Sequence, residues 1–263
     1  MLRYWRNLLF GWARPARRKM SLEKDYDQIW NDVDLDDMFE RSKNQMPHLW
    51  QQEGLVLNSS VTQKLHLALI AKAILHLQPS SVLEVGSGWG LNLLALAGEY
   101  PDIRFQGIEL TAAGVKLTKS LAAMSEIPDA VLKLVPGSPK DSEAYRRISV
   151  EQGSAEHLPY PDGSFDLVMT RLALEQMEGI RDKALSEIAR VARSYVLMVE
   201  SFREVNDEGI RRRYAIANDY FRGRLADLPR YGLEPLFAYS DWPHKITLKP
   251  VFVLARKTGM MRQ

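Results

Sequence analysis

The sequence predicts an α/β protein with a doubly wound, mostly parallel sheet. Between residues 82 and 200, short apolar segments alternate with helix-favouring segments, and this alternation is typical of parallel strands with helices on both faces. Two further strand-like segments, 234–240 and 247–255, are separated by a short connection. Neighbouring strands joined in this way run antiparallel, so we expect the sheet to end in an antiparallel pair.

Length and composition fit one large globular domain. The chain has 263 residues, of which 46% are hydrophobic and 26% charged, and these values are near those of ordinary soluble domains. No segment approaches the roughly 20 apolar residues that a membrane-spanning helix needs. The absence of cysteine excludes disulfides, thiolate metal ligands and a cysteine nucleophile. The five histidines lack the helical spacing of a metal site, so we expect no metal.

Residues 1–20 form a separate basic, amphipathic tail. It contains six basic residues and no acidic one, which leaves the rest of the chain with a net charge of −4. Three interpretations stay open: contact with an anionic membrane surface, a targeting segment, or a true start at Met20. The mildly acidic charge of the rest of the chain argues against nucleic acid as a partner. We predict a cytoplasmic protein, and peripheral contact of this tail with a membrane surface is the alternative.

The segments before the glycine-rich turn predict helices. Residues 21–60 alternate between acidic and aromatic residues, and we expect short helices that cap the domain. Residues 61–77 are rich in Leu, Ala and Ile and end at Gln78-Pro79-Ser80, which predicts a helix packed on the sheet. We assign residues 61–257 to the main domain.

The remaining elements follow from periodicity and breaker residues. Thr111 is a suitable N-cap for the helix after the second strand. We treat residues 129–147 as an insertion and residues 201–228 as a candidate helical lid. The predicted strands are 82–85, 104–110, 148–151, 165–170, 195–200, 234–240 and 247–255, and the helices after the first strand are 91–97, 111–125 and 183–191.

A glycine-rich turn follows the first predicted strand. Glycines occupy positions 86, 88 and 90, and an apolar, helix-favouring segment starts at Leu91. Such a turn lets a ligand approach the backbone, and the helix that follows offers unpaired N–H groups. The dinucleotide motif needs its third glycine where Leu91 stands, and no Gly-Lys-Ser/Thr follows as in a phosphate loop. The turn therefore predicts a nucleotide-like ligand.

This turn resembles the first motif of the class I methyltransferases that use S-adenosylmethionine. In that motif an acidic residue, here Glu84, precedes Gly-x-Gly-x-Gly at the end of the first strand. Glu109 ends the second predicted strand, 19 residues after Gly90, where an acid can accept both hydroxyls of a ribose. The resemblance implies a Rossmann-like methyltransferase fold with a seven-stranded sheet whose last strand is antiparallel.

The resemblance also assigns residues to the cofactor. It places Glu84 near the amino group of the methionine part, and residues 153–168 correspond to the block that meets the adenine. Many family members carry Asp where this chain has Ser154, which leaves the partner of the adenine amino group open. The implied cofactor-binding residues are Glu84, Gly86, Ser87, Gly88, Gly90, Glu109, Leu110, Ser154, Ala155, Glu156 and Arg171.

The end of the fourth predicted strand should face the methyl acceptor. The Asn/Asp-Pro-Pro-Tyr/Phe motif of nucleic-acid amino methyltransferases is absent there, and Glu175-Gln176 stands where many small-molecule enzymes have histidine. Glu175 is our candidate general base, with a cap at a helix start as the competing interpretation. We predict methyl transfer to an O or N atom of a small-molecule, glycan or lipid-linked acceptor. The alternatives are an RNA or protein methyltransferase and a non-catalytic cofactor-binding protein.

Overall fold

The computed structural model describes residues 19–31, 47–126, 128, 131, 134–135 and 139–258. Of the predicted tail, only Lys19 and Met20 fall within this set, so the membrane and targeting predictions for residues 1–20 lie almost wholly outside the described residues. No described helix is long and apolar enough to cross a membrane.

The described elements are six α-helices and nine strands, with short 3-10 turns between them. The helices are α1 Lys19–Asn31, α2 Ser59–Leu77, α3 Leu91–Glu99, α4 Ala112–Ala122, α5 Arg181–Val191 and α6 Gly209–Ala217. The strands are β1 His48–Trp50, β2 Leu55–Leu57, β3 Ser81–Val85, β4 Arg104–Glu109, β5 Ser149–Gln152, β6 Phe165–Arg171, β7 Ala192–Glu200, β8 Leu233–Tyr239 and β9 Val251–Lys257.

Seven strands form the central sheet in the order β5-β4-β3-β6-β7-β9-β8. The pairs from β5 to β7 are parallel, whereas β9 pairs antiparallel with both β7 and β8. The strand order therefore reverses at β3, which has β4 on one side and β6 on the other. Ligands of such sheets bind beyond the carboxyl ends of the strands at this reversal.

Alternating side chains of the strands build one core on each face of the sheet. In β3, Val82 belongs to the core that includes the buried residues of α2 and α3, whereas Leu83 and Val85 belong to the core that includes α5. This two-sided packing buries both faces of the parallel strands. The predicted doubly wound α/β fold with an antiparallel last strand is thus confirmed.

The sequence predicted most boundaries closely. Thr111 caps α4 as expected, since its Oγ1 accepts a hydrogen bond from the backbone N–H of Gly114 at 3.2 Å. The last strand was placed too early, because it begins at Val251 and not at residue 247. Pro250 has no N–H for the ladder, and Leu248 N donates instead to the carbonyl of Lys245 in a tight turn.

The segment 21–60 departs from the helical prediction. It contains the last part of α1 and the start of α2, but His48–Trp50 and Leu55–Leu57 pair as an antiparallel hairpin. Backbone bonds in both directions between Leu49 and His244 attach this hairpin to the loop before β9. Three-residue strands are too short for an alternation of apolar and polar residues to predict them.

The two segments predicted outside the core also differ in detail. Within 129–147, the residues Ala144–Arg147 form a 3-10 turn, and the buried Tyr145 donates its hydroxyl to the carbonyl of Met124 at 2.7 Å. This part of the segment is therefore packed and is not a loose loop. The segment 201–228 contains α6 and two 3-10 turns, and its role as a lid stays a prediction.

Candidate active site

The glycine-rich turn leaves β3 at the point where the strand order reverses. Gly86, Gly88 and Gly90 have φ angles of 75°, 56° and 76°, which lie in the left-handed region that glycine adopts without steric cost. The backbone N–H groups of Gly86 and Ser87 both donate to the carbonyl of Ile108, at 2.8 and 3.1 Å. The turn is thus fixed against β4.

Close packing explains two of these glycines as well. A Cβ atom at position 86 would lie 2.6 Å from Cβ of Ala173, and one at position 90 would lie 2.3 Å from Cγ2 of Thr118. Real Cβ contacts do not reach such distances. The same turn therefore joins three elements, namely β3, the segment after β6, and α4.

Glu109 ties the turn to the end of β4. Its Oε2 accepts a hydrogen bond from Gly88 N at 2.8 Å, and its Oε1 accepts from the backbone N–H and the hydroxyl of Thr111 at 3.1 and 2.8 Å. A carboxylate offers about four acceptor positions, so capacity is left for a ligand. Glu109 holds the turn and at the same time lines the adjacent cavity.

A cavity of about 300 Å³ lies at the carboxyl ends of the central strands. One side, which we call the glycine wall, is formed by lining residues of 85–89, 108–111 and 153–155. A second group of lining residues, which we call the far wall, consists of Gln63, Gln176, Met177, Gly179 and Ile180. Residues 91–92 and 171–173 lie in the lining as well, and Tyr26 and Trp30 of α1 complete it.

The cavity brings together eight of the predicted site residues, namely Gly86, Ser87, Gly88, Glu109, Leu110, Ser154, Ala155 and Arg171. Ser154 Oγ accepts a long hydrogen bond of 3.3 Å from Glu156 N. This contact leaves the hydroxyl proton of Ser154 available as a donor. The cavity lining includes no His157, whose side chain is 89% exposed.

Four predicted site residues are not part of the cavity lining. Gly90 is the N-cap of α3, and Glu156 pairs with Lys183 at 3.4 Å. Glu175 lies in the 3-10 turn Leu174–Gln176, where its neighbour Gln176 reaches the cavity instead. Glu84 is fully buried one layer behind the cavity. Their assignments to cofactor or catalysis stay predictions.

Glu84 acts on the cavity through Asn92. Its Oε1 accepts a hydrogen bond from Asn92 Nδ2 at 2.6 Å, and Asn92 lines the cavity. The remaining oxygens of this pair, Glu84 Oε2 and Asn92 Oδ1, are buried and have no partner. Buried polar atoms are nearly always hydrogen-bonded. The unpaired Asn92 Oδ1 is therefore suited to accept a donor group of a ligand.

Three carboxyl groups interact electrostatically with Arg171 at the end of β6, and of these Glu84 and Glu200 are buried whereas Glu175 is half-buried. Loss of solvation raises the pKa of Glu84 to about 7, of Glu175 to about 7 and of Glu200 to about 8. Burial lowers the pKa of Arg171, and these three carboxyl groups oppose that shift. Glu200 also has a structural role, since its Oε1 accepts the backbone N–H of Ala173 at 3.0 Å.

Sequence reasoning missed the polar residues of α2. Gln63 lines the cavity, and His66, one turn further along the helix, is 1% exposed. Neither ring nitrogen of His66 has a hydrogen-bond partner, and its ring centroid lies 4.4 Å from that of Trp242. Burial, with Arg171 and His48 nearby, holds the pKa of His66 well below its ordinary value. The imidazole is therefore neutral at physiological pH.

Comparison with known proteins identifies the domain. Residues 83–199 match the family model described as a methyltransferase domain, and this segment spans the glycine turn, Glu109 and the ends of β6 and β7. Residues 83–199 are therefore a methyltransferase domain. This match confirms the resemblance drawn from the glycine turn. It also confirms the predicted cofactor, S-adenosylmethionine, which the enzymes of this family use.

Individual relatives agree with this assignment over the same part of the chain. Ajmaline N-methyltransferase of Rauvolfia serpentina is 32% identical over 117 residues, which cover 44% of this chain and 34% of the relative. The chain spans about a third of the length of the first curated relatives that it matches. The similarity therefore concerns the methyltransferase domain and not the relatives as wholes.

Solved structures show the same fold over most of the chain. The magnesium protoporphyrin IX methyltransferase ChlM from Synechocystis, solved with bound S-adenosylmethionine, gives a TM-score of 0.57 at 12% identity and covers 93% of this chain and 100% of its own. The [4+2]-cyclase SpnF gives a TM-score of 0.65 at 17% identity, with coverage of 94% and 98%. Since one of these neighbours is named a cyclase, the fold alone does not define the reaction.

The glycine wall fits S-adenosylmethionine. Glu109 has acceptor positions left for hydroxyl groups, and Asn92 Oδ1, beside this wall, can accept an ammonium hydrogen. A Cβ atom added to Gly114 would meet Gly88 O at 2.7 Å, so α4 begins directly against the turn. These features place hydrogen-bond acceptors along the cavity beside the glycine turn.

Proposed function

We propose that this protein transfers the methyl group of S-adenosylmethionine to an O or N atom of a small-molecule acceptor. The single observation that carries the proposal is the continuity of the cavity between the glycine wall and the far wall. A cofactor held at the glycine wall would place its methyl group in the same space as an acceptor held by Gln63 and Gln176. Ligand sites of this kind are concave, with few polar groups among apolar ones.

The cofactor supplies an activated methyl group, so the protein has little covalent chemistry to perform. Its residues bind and orient the two reactants and exclude water from them. Glu109 and Asn92 would hold the hydroxyl and ammonium groups of the cofactor, as their acceptor positions indicate. Met177 and Ile180 supply apolar surface beside Gln176 on the far wall.

A proton leaves the acceptor when an O–H or N–H group is methylated. Glu175 is the proposed proton acceptor, because its raised pKa of about 7 makes it a stronger base than an exposed carboxylate. Lys245 and Arg171 are the nearby cations that act against this shift. Because Glu175 does not line the cavity, a small movement of the 3-10 turn would bring its carboxylate to the acceptor, from which it would take the proton.

The acceptor class is supported by the size of the cavity and by charge. A cavity of about 300 Å³ favours a small molecule, or the end of a glycan or lipid-linked compound, over a folded macromolecule. The net charge of −4 outside residues 1–20 argues against RNA. Ajmaline N-methyltransferase, as its name states, acts on a small molecule.

Calorimetric titration tests the choice of cofactor. We expect the full chain to bind S-adenosylmethionine with micromolar affinity and NAD much more weakly. Glu109→Ala should weaken binding of S-adenosylmethionine by about 100-fold, since it removes a charged acceptor and loosens Gly88. Glu234→Ala, which removes an exposed carboxylate paired with Arg256, is the matched control. No binding by the wild type would refute the proposal.

A labelling experiment identifies the acceptor. Purified protein is incubated with methyl-labelled S-adenosylmethionine and a fractionated lysate, and the label is traced into small molecules, glycolipids, RNA and protein. We expect the label in the small-molecule or lipid fraction. Label in RNA alone would show that the proposed substrate class is wrong, and binding without any transfer would favour a non-catalytic or non-methylating use of the fold.

A further inference from the structure

Helix α1 is attached to the site at two points, although it lies outside the segment that matches the family model. Asp27 Oδ1 accepts a hydrogen bond from Ala113 N at 2.9 Å, in the first turn of α4. Three residues later, the ring of Trp30 lies against the glycine turn, so that a Cβ atom at position 88 would be 3.2 Å from Cζ2 of Trp30. The helix therefore crosses from α4 to the glycine turn.

Glu109 connects the two attachment points. Its carboxylate holds Gly88 N, on which Trp30 rests, and also Thr111, which caps the helix that Asp27 reaches. Thr111 Oγ1 accepts a hydrogen bond from Gly114 N, and Asp27 Oδ1 accepts one from Ala113 N. Together the two side chains satisfy two of the backbone donors that are unpaired at the start of α4. The position of α1 is thus set by the same residues that form the glycine wall.

Trp30 has an unused hydrogen-bond donor at this position. It lines the cavity together with Tyr26, at a ring-centroid distance of 6.1 Å. Its Nε1 is buried and has no hydrogen-bond partner. An indole N–H that is buried without an acceptor is unfavourable, and buried tryptophan usually has such a partner. A ligand oxygen at the glycine wall would supply the missing acceptor.

We infer that Trp30 is a cofactor-binding residue, which packs on Gly88 beside the cofactor and donates its Nε1–H to a cofactor oxygen. Asp27 is a positioning residue that holds α1, and with it Trp30, in place. The inference rests on the proposed use of S-adenosylmethionine. It adds to that function a residue from an N-terminal helix, outside residues 83–199, that the family motifs do not contain.

The test compares Trp30 variants of the full chain by calorimetric titration with S-adenosylmethionine and with S-adenosylhomocysteine. We expect Trp30→Ala to weaken binding of both by about tenfold or more, since ring contact and hydrogen bond are lost. Trp30→Phe keeps an aromatic ring and should lose about threefold. Ile29→Ala, in the same helix and 50% exposed, is the matched control and should bind within about twofold of the wild type.

Hydrogen exchange provides a second readout, which does not depend on the folding of Trp30→Ala. In the wild type, S-adenosylhomocysteine should slow exchange of the α1 amides, and Asp27→Ala should reduce this protection and weaken binding severalfold. Asp27→Asn, which keeps an acceptor oxygen, should restore both. A merely structural role of Asp27 would change stability without changing the protection on ligand binding.

The outcomes separate the inference from the proposed function. If the wild type binds neither ligand, the proposed function fails. If the wild type binds both ligands while Trp30→Ala and Trp30→Phe bind equally well, or if α1 gains no protection, the proposed function stands and the assignment of Trp30 is wrong. Weakened binding by the Trp30 variants together with ligand-dependent protection of α1 supports the assignment.

Discussion

The two walls of the cavity are built in opposite ways. The glycine wall comes from a few consecutive residues at the ends of adjacent strands, and its backbone bonds to Ile108 and to the carboxylate of Glu109 are complete. The region around the far wall collects side chains from α2, β6 and the following turn. Buried polar atoms without a partner lie near both walls: His66 and Arg171 near the far wall, and Ser87 Oγ and Asn92 Oδ1 at the glycine turn. The backbone of the glycine wall is determined by local geometry, whereas the far wall is assembled from distant segments.

The largest effect is expected from a methyl group added to the glycine turn that supports the glycine wall. Gly90→Ala should destabilise the protein by about 3–5 kcal/mol, because a Cβ atom would meet Thr118 in a left-handed backbone conformation. Gly54→Ala is the matched control, since Gly54 also has a positive φ but no atom within 4 Å of the added Cβ. It should cost only about 1 kcal/mol. Urea unfolding measures both, and equal losses would contradict the packing argument.

The next effect concerns the carboxyl group behind the glycine wall. The pKa of Glu84 is raised from 4.5 to about 7 in the fold, so the folded state binds a proton that the unfolded state has released between these values. This contribution to stability is present at low pH and is lost as pH rises through 7. Glu84→Gln should therefore be less sensitive to pH, and more stable than the wild type by about 2–3 kcal/mol at pH 8.5.

Thermal or urea unfolding at pH 5.5 and pH 8.5 measures this difference. Glu200 and Glu175, whose pKa values are also raised, keep part of the pH dependence in the variant. Glu234→Gln, an exposed carboxyl group, serves as the control and should follow the wild type. The same slope for Glu84→Gln and the wild type would show that Glu84 is ionised in the fold at neutral pH.

A smaller effect is expected from replacing His66, whose ring nitrogens have no hydrogen-bond partner. His66→Leu removes two buried, unpaired nitrogens and should stabilise the protein by about 1 kcal/mol, while turnover of the acceptor falls. His48→Leu removes a bonded imidazole, whose Nδ1 lies 2.7 Å from Thr62 Oγ1, and should destabilise by about 1–2 kcal/mol. Denaturation curves compare them, and a destabilised His66→Leu would reveal a hidden partner.

The smallest effect is expected at the amino ends of the strands, away from the cavity. Gln78 ends α2 in a left-handed conformation with φ of 46°, and its N–H already bonds to the carbonyl of Ile74. Gln78→Gly should stabilise the protein by about 0.5–1 kcal/mol and leave cofactor affinity unchanged. Gln78→Ala should give no such gain. A loss of affinity would show that the structure at the amino ends of the strands influences the cofactor site at their carboxyl ends.

The difference between the walls also explains what the sequence could predict. Gly86, Gly88 and Gly90 lie within five residues and Glu109 follows at a fixed spacing, so local patterns predicted the cofactor, and the family match confirms it. The antiparallel pair of β8 and β9 was likewise predicted, because two strands with a short connection have few arrangements.

The far wall and α1 depend on contacts between distant segments. His66 lies in a helix of apolar composition, and only the fold brings it near Arg171. Trp30 approaches Gly88 across more than fifty residues of chain, and no local pattern indicates that contact. Glu175 stands where many family members have histidine, and the structure places its neighbour Gln176 in the cavity lining instead. Whether Glu175 takes the proton stays a prediction that the labelling assay with Glu175→Gln can test.

The insertion of β9 between β7 and β8 has a consequence for synthesis on the ribosome. Among the described strands, β8 pairs only with β9, and the outer edge of β7 is covered by β9 as well. Until residues 251–257 leave the exit tunnel, the nascent chain therefore exposes the edge of β7 and the free strand β8, with Phe237 and Tyr239 on it. A released chain truncated after Pro250 should therefore need chaperone binding that the full chain does not need.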